Sequence, residues 1–159
     1  MRAALSHIAA GALIGAVVLA PLPALACTLN VQSPGTLRAS NDNTMLGSEV
    51  NGTTPGTMTS VLTLLDGTAT IDVAPPTRIQ TASGYNASAE TLQVAYSAAS
   101  VLGLFPGASQ PYTSATTSFQ ATGILSGLSI TITINNRILN PNGFAPGTYG
   151  TRTVVTCHP

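Results

Sequence analysis

Side chains capable of acid–base or metal chemistry are scarce after residue 26. The only histidine in that part of the chain is His158, next to the C-terminal proline. A catalytic base must be held within hydrogen-bonding reach of its substrate, and residues at a chain end are usually poorly ordered. We therefore expect neither a Ser-His-Asp triad nor a histidine-based metal site.

Paired carboxylates offer a second route to catalysis, because glycosidases need only two carboxyl groups at a suitable separation. The candidates are Asp42, Glu49, Asp66, Asp72 and Glu90. The pattern places Asp66 in a turn and Asp72 on the polar side of a strand, and we expect all of them to be solvated surface groups. Asn41-Asp42-Asn43 has calcium-ligand residue types but lacks the remaining spacing of a calcium loop, so we predict a turn there. The sequence predicts no catalytic residue, cofactor or metal site, and a carboxylate hydrolase remains a third hypothesis.

The two cysteines, Cys27 and Cys157, lie far apart in the sequence. In an exported protein, two cysteines are expected to form one disulfide. Such a bond would join the first strand to the last, with Cα atoms within about 7 Å. Closing so long a loop is expected to stabilise the fold by roughly 4 to 5 kcal/mol.

Residues 1–26 have the pattern of a cleavable secretory signal peptide. Arg2 supplies a positive charge, and the apolar run from Ile8 to Leu22 is too short for a transmembrane helix. Ala24-Leu25-Ala26 fits the small-x-small pattern that precedes cleavage. We predict cleavage between Ala26 and Cys27, leaving an exported chain in the periplasm, at the cell surface or outside the cell.

Cleavage before a cysteine raises an alternative, in which Cys27 is acylated and anchors a lipoprotein. A lipobox usually has leucine three residues before the cysteine and a small residue two before it. Here Ala24 and Leu25 stand in the opposite order. We therefore prefer the disulfide and keep lipidation of Cys27 as an alternative.

Charge is sparse, with no lysine anywhere and a formal net charge of zero. The basic side chains after residue 26 are Arg38, Arg78, Arg137 and Arg152. They form no clustered basic stretch of the kind that binds nucleic acid or anionic membranes. The polar surface must instead come from threonine, serine, asparagine and glutamine. Threonine together with valine and isoleucine is a composition that suits β-sheet.

Alternating apolar residues predict several strands. The clearest runs from Leu128 to Asn135, and a second pair, 57–65 and 68–73, flanks Asp66-Gly67, which predicts an antiparallel hairpin. Further strands are predicted at 28–32, 37–40, 78–82, 118–122 and 149–157. Between Ala87 and Gly103 both helical and strand patterns are present, and we assign a strand to 91–97.

The tripeptide Pro-Gly-Thr occurs at residues 34–36, 55–57 and 146–148. Proline presets the first corner of a type II turn and glycine accepts the positive φ of the second, so each copy is predicted to start a strand. Seven to nine short strands separated by such turns indicate one all-β domain over 27–159, an antiparallel immunoglobulin-like β-sandwich preceded by the cleaved signal peptide.

The segment from Phe144 to Cys157, with its Pro-Gly-Thr-Tyr turn and alternating Thr/Val strand, resembles the closing segment of the spore coat protein U family. That family includes the pilins of archaic chaperone–usher pili. The resemblance implies an exported immunoglobulin-like module that builds or decorates a surface fibre. Pilins of this kind donate an N-terminal extension to a neighbour, whereas cleavage after Ala26 leaves none, so we expect a monomeric relative or an accessory surface protein.

The resulting expectation is a non-enzymatic exported structural or surface protein, associated with a fibre or with adhesion. Its partners would be other cell-surface or pilus proteins, without nucleic acid and without a transmembrane segment in the mature chain. The alternative is a binding module for carbohydrate or another small ligand, which requires several exposed aromatic side chains on one face. The candidates for that face are Tyr85, Tyr96, Phe105, Tyr112, Phe119, Phe144 and Tyr149. The oligomeric state is left open.

The intact mass of the protein purified from its own host tests the processing scheme. We expect an unmodified chain that begins at Cys27. It should take up two alkyl groups only after reduction, because the predicted disulfide joins both cysteines. Acyl chains at the N-terminus together with one free thiol at Cys157 would instead establish the lipoprotein alternative.

Overall fold

The computed structural model describes residues 27–63, 67–100, 103–123 and 127–158. These residues form an all-β structure with antiparallel pairing throughout. The predicted signal segment and its cleavage point before Cys27 lie at or beyond the edge of this part. In chain order the strands are β1 (Cys27–Ser33), β2 (Arg38–Ala39), β3 (Met45–Gly47), β4 (Gly56–Leu62), β5 (Gly67–Val73), β6 (Thr77–Gln80), β7 (Thr91–Ser100), β8 (Ala108–Thr113), β9 (Thr117–Gly123), β10 (Leu128–Leu139), β11 (Gly150–Arg152) and β12 (Val155–His158).

The larger sheet is built around β10, the longest strand described. One side of β10 pairs with β4 and, further along, with β3, while its other side pairs with β7. The sheet then extends outward to β1 next to β4, to β2 next to β3, and to β8 next to β7. Its outermost strands are therefore β1 and β2, next to β4 and β3, and β8, next to β7.

The smaller sheet has β5 in the middle, with β12 on one side and β9 on the other. A short antiparallel ladder between β6 and β11 continues from the pairing of β5 with β12, because β6 follows β5 in the chain and β11 precedes β12. The backbone N–H of Ala74 donates to the carbonyl of Val154 between the two ladders. The last segment of the chain therefore follows the stretch from β5 to β6 for most of its length.

The two sheets bury their alternating side chains in one core. Ile130 and Ile132 of β10 are completely buried, as are Ile71 and Val73 of β5. All four belong to the same cluster of contacting apolar residues. The period-two pattern thus gives each strand one face that packs inward, because successive side chains point to opposite sides of a strand.

The predicted hairpin around Asp66-Gly67 is wrong. The strand that precedes it, β4, pairs with β1 and β10, whereas the strand that follows it, β5, pairs with β9 and β12. Both strands carry a buried face, and these faces contribute to the same core from different sheets. The turn signal is local and does not determine which strands become neighbours. Residues 64–66 lie outside the described part.

A strand starts at or just after each Pro-Gly-Thr copy, β2, β4 and β11 in turn, but the positive φ predicted for the glycine is found in only one copy. Positive φ is found at Gly147 (148°) but at neither Gly35 nor Gly56. Gly35 is needed for another reason, because a Cβ there would lie 2.6 Å from the backbone nitrogen of Gly56. The first two copies therefore pack against each other, and Thr36 N donates to Thr54 O at 2.9 Å.

The ambiguous stretch between Ala87 and Gly103 contains a strand, as assigned. It is longer than predicted, since β7 reaches Ser100 and pairs with β10 from Leu139 back to Ile130. The predicted terminal strand is divided into β11 and β12. Two strands were missed, β3 and β8, because three residues and a proline-containing run give too little alternation to detect.

The isoleucine core provides a stability test with a matched control. Ile132→Ala should destabilise the protein by about 2–5 kcal/mol, because it leaves a cavity at a completely buried position. The same substitution at Ile79, which is 58% exposed, should change the free energy of unfolding by less than about 1 kcal/mol. Urea unfolding followed by tyrosine fluorescence measures both, and equal losses would contradict this core.

Candidate binding groove

The two sheets end side by side at β1 and β12. Among the described strands, β1 pairs only with β4 and β12 pairs only with β5. On the other flank the edge strands β8 and β9 are consecutive and are separated only by residues 114–116. One flank is therefore crossed by a short connection, whereas the flank between β1 and β12 presents two strand edges.

A groove of about 800 Å³ lies next to this flank, between β1 and the segment from Tyr149 to Val155, which carries β11 and the first residue of β12. Its apolar lining comes from both sheets and includes Leu29, Val31, Met58, Ile134, Val154 and Val155. Among the described residues that line it, Arg152 is the only charged one. The groove is thus a slot over the core whose walls offer apolar side chains and strand edges, with little charge.

The side chains on the core-facing side of β1 become more exposed along the strand. Cys27, Leu29 and Val31 alternate onto the side of the strand that lines the core and the groove. Cys27 is 8% exposed, Leu29 is half-buried and Val31 is 74% exposed. Val31 is the most exposed large hydrophobic side chain in the described part. The core is therefore covered at the beginning of β1 and uncovered towards its end.

The predicted disulfide between Cys27 and Cys157 is present and closes one end of the groove. The two Cα atoms are 6.3 Å apart, within the predicted limit, and the bond joins the first described strand to the last. Because the sulfur of Cys27 is bonded to Cys157, it is not available for the thioether of a lipoprotein. The disulfide is compatible with an exported location.

The groove becomes polar at a distance from the disulfide. Asn136 of β10 donates from Nδ2 to Thr151 Oγ1 at 3.2 Å and accepts at Oδ1 from Thr153 Oγ1 at 2.7 Å. Its backbone N–H donates to the hydroxyl of the buried Ser48 at 3.0 Å. The Asn136 amide therefore connects the larger sheet to the segment that carries β11 and β12. Sequence patterns missed it, because an asparagine at the end of an isoleucine strand resembles a turn signal.

His158 lies in β12 and contacts a carboxylate, although we expected a mobile terminal residue. Its Nε2 is 3.0 Å from Asp72 Oδ2, and Ser118 Oγ donates to Asp72 Oδ1 at 2.5 Å. The carboxylate is thus the central member of this cluster. In a hydrolytic triad the histidine is central and contacts the serine, whereas here the Asp72 carboxylate contacts both Ser118 and His158.

The other described carboxylates have separate polar partners. Asp42 accepts from Ser40 and Thr44 in the predicted turn, and these hydrogen bonds lower its pKa. Glu90 pairs with Arg78 at 2.9 Å, and Glu49 lies 3.7 Å from Arg137. Asp66 lies outside the described residues. No group of three or more histidine, cysteine or acidic side chains able to hold a metal ion occurs in the described ranges.

The aromatic side chains do not form an exposed platform. Tyr96, Phe105, Phe119 and Phe144 are buried, and the other three tyrosines are half-buried. Tyr85 stacks on Phe144 with ring centroids 5.5 Å apart, and Tyr149 meets Tyr85 edge-on at 5.2 Å. Arg137 covers the ring of Tyr112 at 3.8 Å. The exposed large hydrophobics of the described part are Val31, Ile79 and Val154, none of which is aromatic.

No known protein family, curated protein or solved structure matches the chain. In the described ranges, no helix is long and apolar enough to cross a membrane.

The Asp72 cluster predicts a pH-dependent contribution to stability. The hydrogen bonds from Ser118 and then from His158 hold the pKa of Asp72 below its ordinary value of 3.8. A carboxylate with a lowered folded-state pKa stabilises the fold above its unfolded-state pKa, and this contribution is lost as the pH falls through the folded-state value. Wild type should therefore exceed Asp72→Asn in unfolding free energy at about pH 6, and by a smaller margin at about pH 3, below the ordinary pKa of the carboxyl.

Urea unfolding at the two pH values measures the margin. Ser118→Ala should reduce the pH-dependent part, because this hydrogen bond is the largest cause of the lowered pKa of Asp72. A constant difference between wild type and Asp72→Asn across the whole range would show that the carboxylate is not stabilised in the folded state.

Proposed function

We propose that this protein is a non-enzymatic, exported structural or surface protein, and that it binds an extended segment of a partner polypeptide in the groove between β1 and β12. The segment would add to the open strand edges as a further strand. On this proposal the two sheets form an immunoglobulin-like sandwich that is incomplete on one flank. The observation that carries the proposal is the 74% exposure of Val31 on the core-lining side of an edge strand.

The strand edges favour a polypeptide over a small ligand. An edge strand has unpaired backbone N–H and C=O groups along its free side, and a partner strand can satisfy them. Here two such strands border the same slot, and each has one described neighbour. Main-chain hydrogen bonds would supply binding to either strand, while pockets for alternate side chains would select the segment.

The lining indicates the chemistry of that segment. Apolar surface is presented by Leu29, Met58, Ile134 and Val155, and in the described part of the lining Arg152 alone is charged. Burying an unpaired charge against this surface would be costly. The preferred occupant is therefore an uncharged segment with alternating apolar side chains, supplied by another exported protein at the cell surface, in the periplasm or outside the cell.

The resemblance of residues 144–157 to the spore coat protein U family supports the same proposal. It implies a role in building or decorating a surface fibre, and strand addition is a common way to join subunits. In this chain the resembling segment includes β11 and β12, so it forms one wall of the proposed groove. Fibre-associated or adhesive proteins are accordingly the proposed class of partner.

A peptide-binding measurement tests the groove. The probe is a fluorescent nine-residue synthetic peptide in which valine alternates with threonine, and its binding to the exported protein is followed by anisotropy. Val31→Glu should weaken binding by about tenfold or more, because it places a charge where an apolar side chain would be buried. Val31 is highly exposed, so this substitution should leave the fold intact.

Ile79→Glu is the matched control, since Ile79 is an exposed aliphatic residue outside the groove lining. It should bind the peptide as wild type does. Absence of binding to the wild type, or equal weakening by Val31→Glu and Ile79→Glu, would contradict the proposed function.

A further inference from the structure

The groove has two different ends, and this difference fixes how a strand can lie in it. A strand inserted between two edges needs them about 9–10 Å apart, twice the usual spacing between neighbouring strands. At the disulfide the Cα atoms of Cys27 and Cys157 are only 6.3 Å apart. An inserted strand therefore cannot pass between these residues, and the groove is a slot that is closed at the disulfide.

Away from this closed end the lining changes from apolar to polar in a defined order. Leu29 and Val155 each lie two residues from a bridged cysteine, and Met58 and Ile134 follow along the floor. Asn136 is two residues beyond Ile134 on β10. Since side chains of a strand return to the same face every second residue, Asn136 occupies the next floor position after Ile134.

The Asn136 amide has hydrogen-bonding capacity beyond its contacts to Thr151 and Thr153. A side-chain amide carries two N–H donors and an oxygen with two acceptor sites. One donor is used by Thr151 and one acceptor site by Thr153. Asn136 is half-buried, so an apolar side chain placed over it would exclude water from its remaining groups without replacing the hydrogen bonds.

We propose that the groove selects a segment whose apolar side chains lie next to the disulfide and whose side chain over Asn136 is a small polar one, such as serine. This selectivity rests on the proposed function. The disulfide limits the register, because a segment that reaches the closed end cannot slide further towards it. Sliding away from it would leave the apolar side chains of Leu29 and Val155 uncovered. The occupant is thus an extended, uncharged segment with an apolar-to-polar order along one face.

A peptide series tests this order. Starting from the valine/threonine peptide, each valine is replaced in turn by serine, and binding to the exported wild-type protein is compared. Serine should weaken binding at the positions next to the disulfide and strengthen it by about tenfold at the single position over Asn136, where a hydrogen bond replaces an apolar contact. The peptide with serine at that position is then used with the variants.

Asn136→Leu should reverse the preference, so that the original valine/threonine peptide binds more tightly than the peptide with serine over position 136. A role in folding alone would not exchange the order of two ligands. Thr151→Val should keep the preference for serine, because it removes one partner of the amide but leaves the amide in place. If Asn136→Leu does not fold, the position-dependent effect of serine on the wild type still decides the question.

The outcomes separate the two proposals. If the peptides bind but serine lowers the affinity equally at every valine position, the proposed selectivity is overturned. Strand addition in the groove would then still stand. Absence of binding by every peptide would overturn the groove as a strand-binding site as well. Retention of the serine preference in folded Asn136→Leu would show that the preference does not come from the Asn136 amide.

Discussion

The constraint on which the groove depends is the covalent bond between two edge strands of different sheets. β1 and β12 each pair with one described neighbour, so neither has a ladder on both sides to hold it in place. The Cys27–Cys157 bond joins them directly, at one end only. The core next to the bond is covered, while the core further along β1 is exposed at Val31. The disulfide therefore fixes the point at which β1 and β12 are joined, and the groove begins two residues beyond it on each strand segment, at Leu29 and Val155.

Open strand edges beside apolar side chains are a hazard in most soluble proteins, because they pair with other chains and aggregate. Natural proteins often protect such edges with charged side chains. This chain has few charges and no lysine, and Arg152 is the only charged residue in the groove lining. An edge that is left both apolar and uncharged, above a slot of this size, is the pattern expected of a surface that receives a partner.

Hydroxyl and amide groups perform the polar functions that ion pairs perform in more charged proteins. Asn136 connects the two sheets through Thr151 and Thr153, and Ser48 satisfies the backbone of Asn136. Ser118 lowers the pKa of Asp72 beside the last strand. Of these contacts, the bonds of Asn136 to Thr151 and Thr153 are neutral and connect the larger sheet to the last segment of the chain, which is consistent with a groove suited to an uncharged segment.

The sequence by itself determined the all-β class, the disulfide and the core strand β10, because alternation and cysteine count depend only on local pattern and compartment. Only the tertiary structure decided which strands become neighbours. The Asp66-Gly67 turn signal predicted that its flanking strands pair, yet they belong to different sheets. The groove was likewise undetectable, because alternation shows that Leu29 and Val31 share a face but not that Leu29 is half-buried while Val31 is 74% exposed.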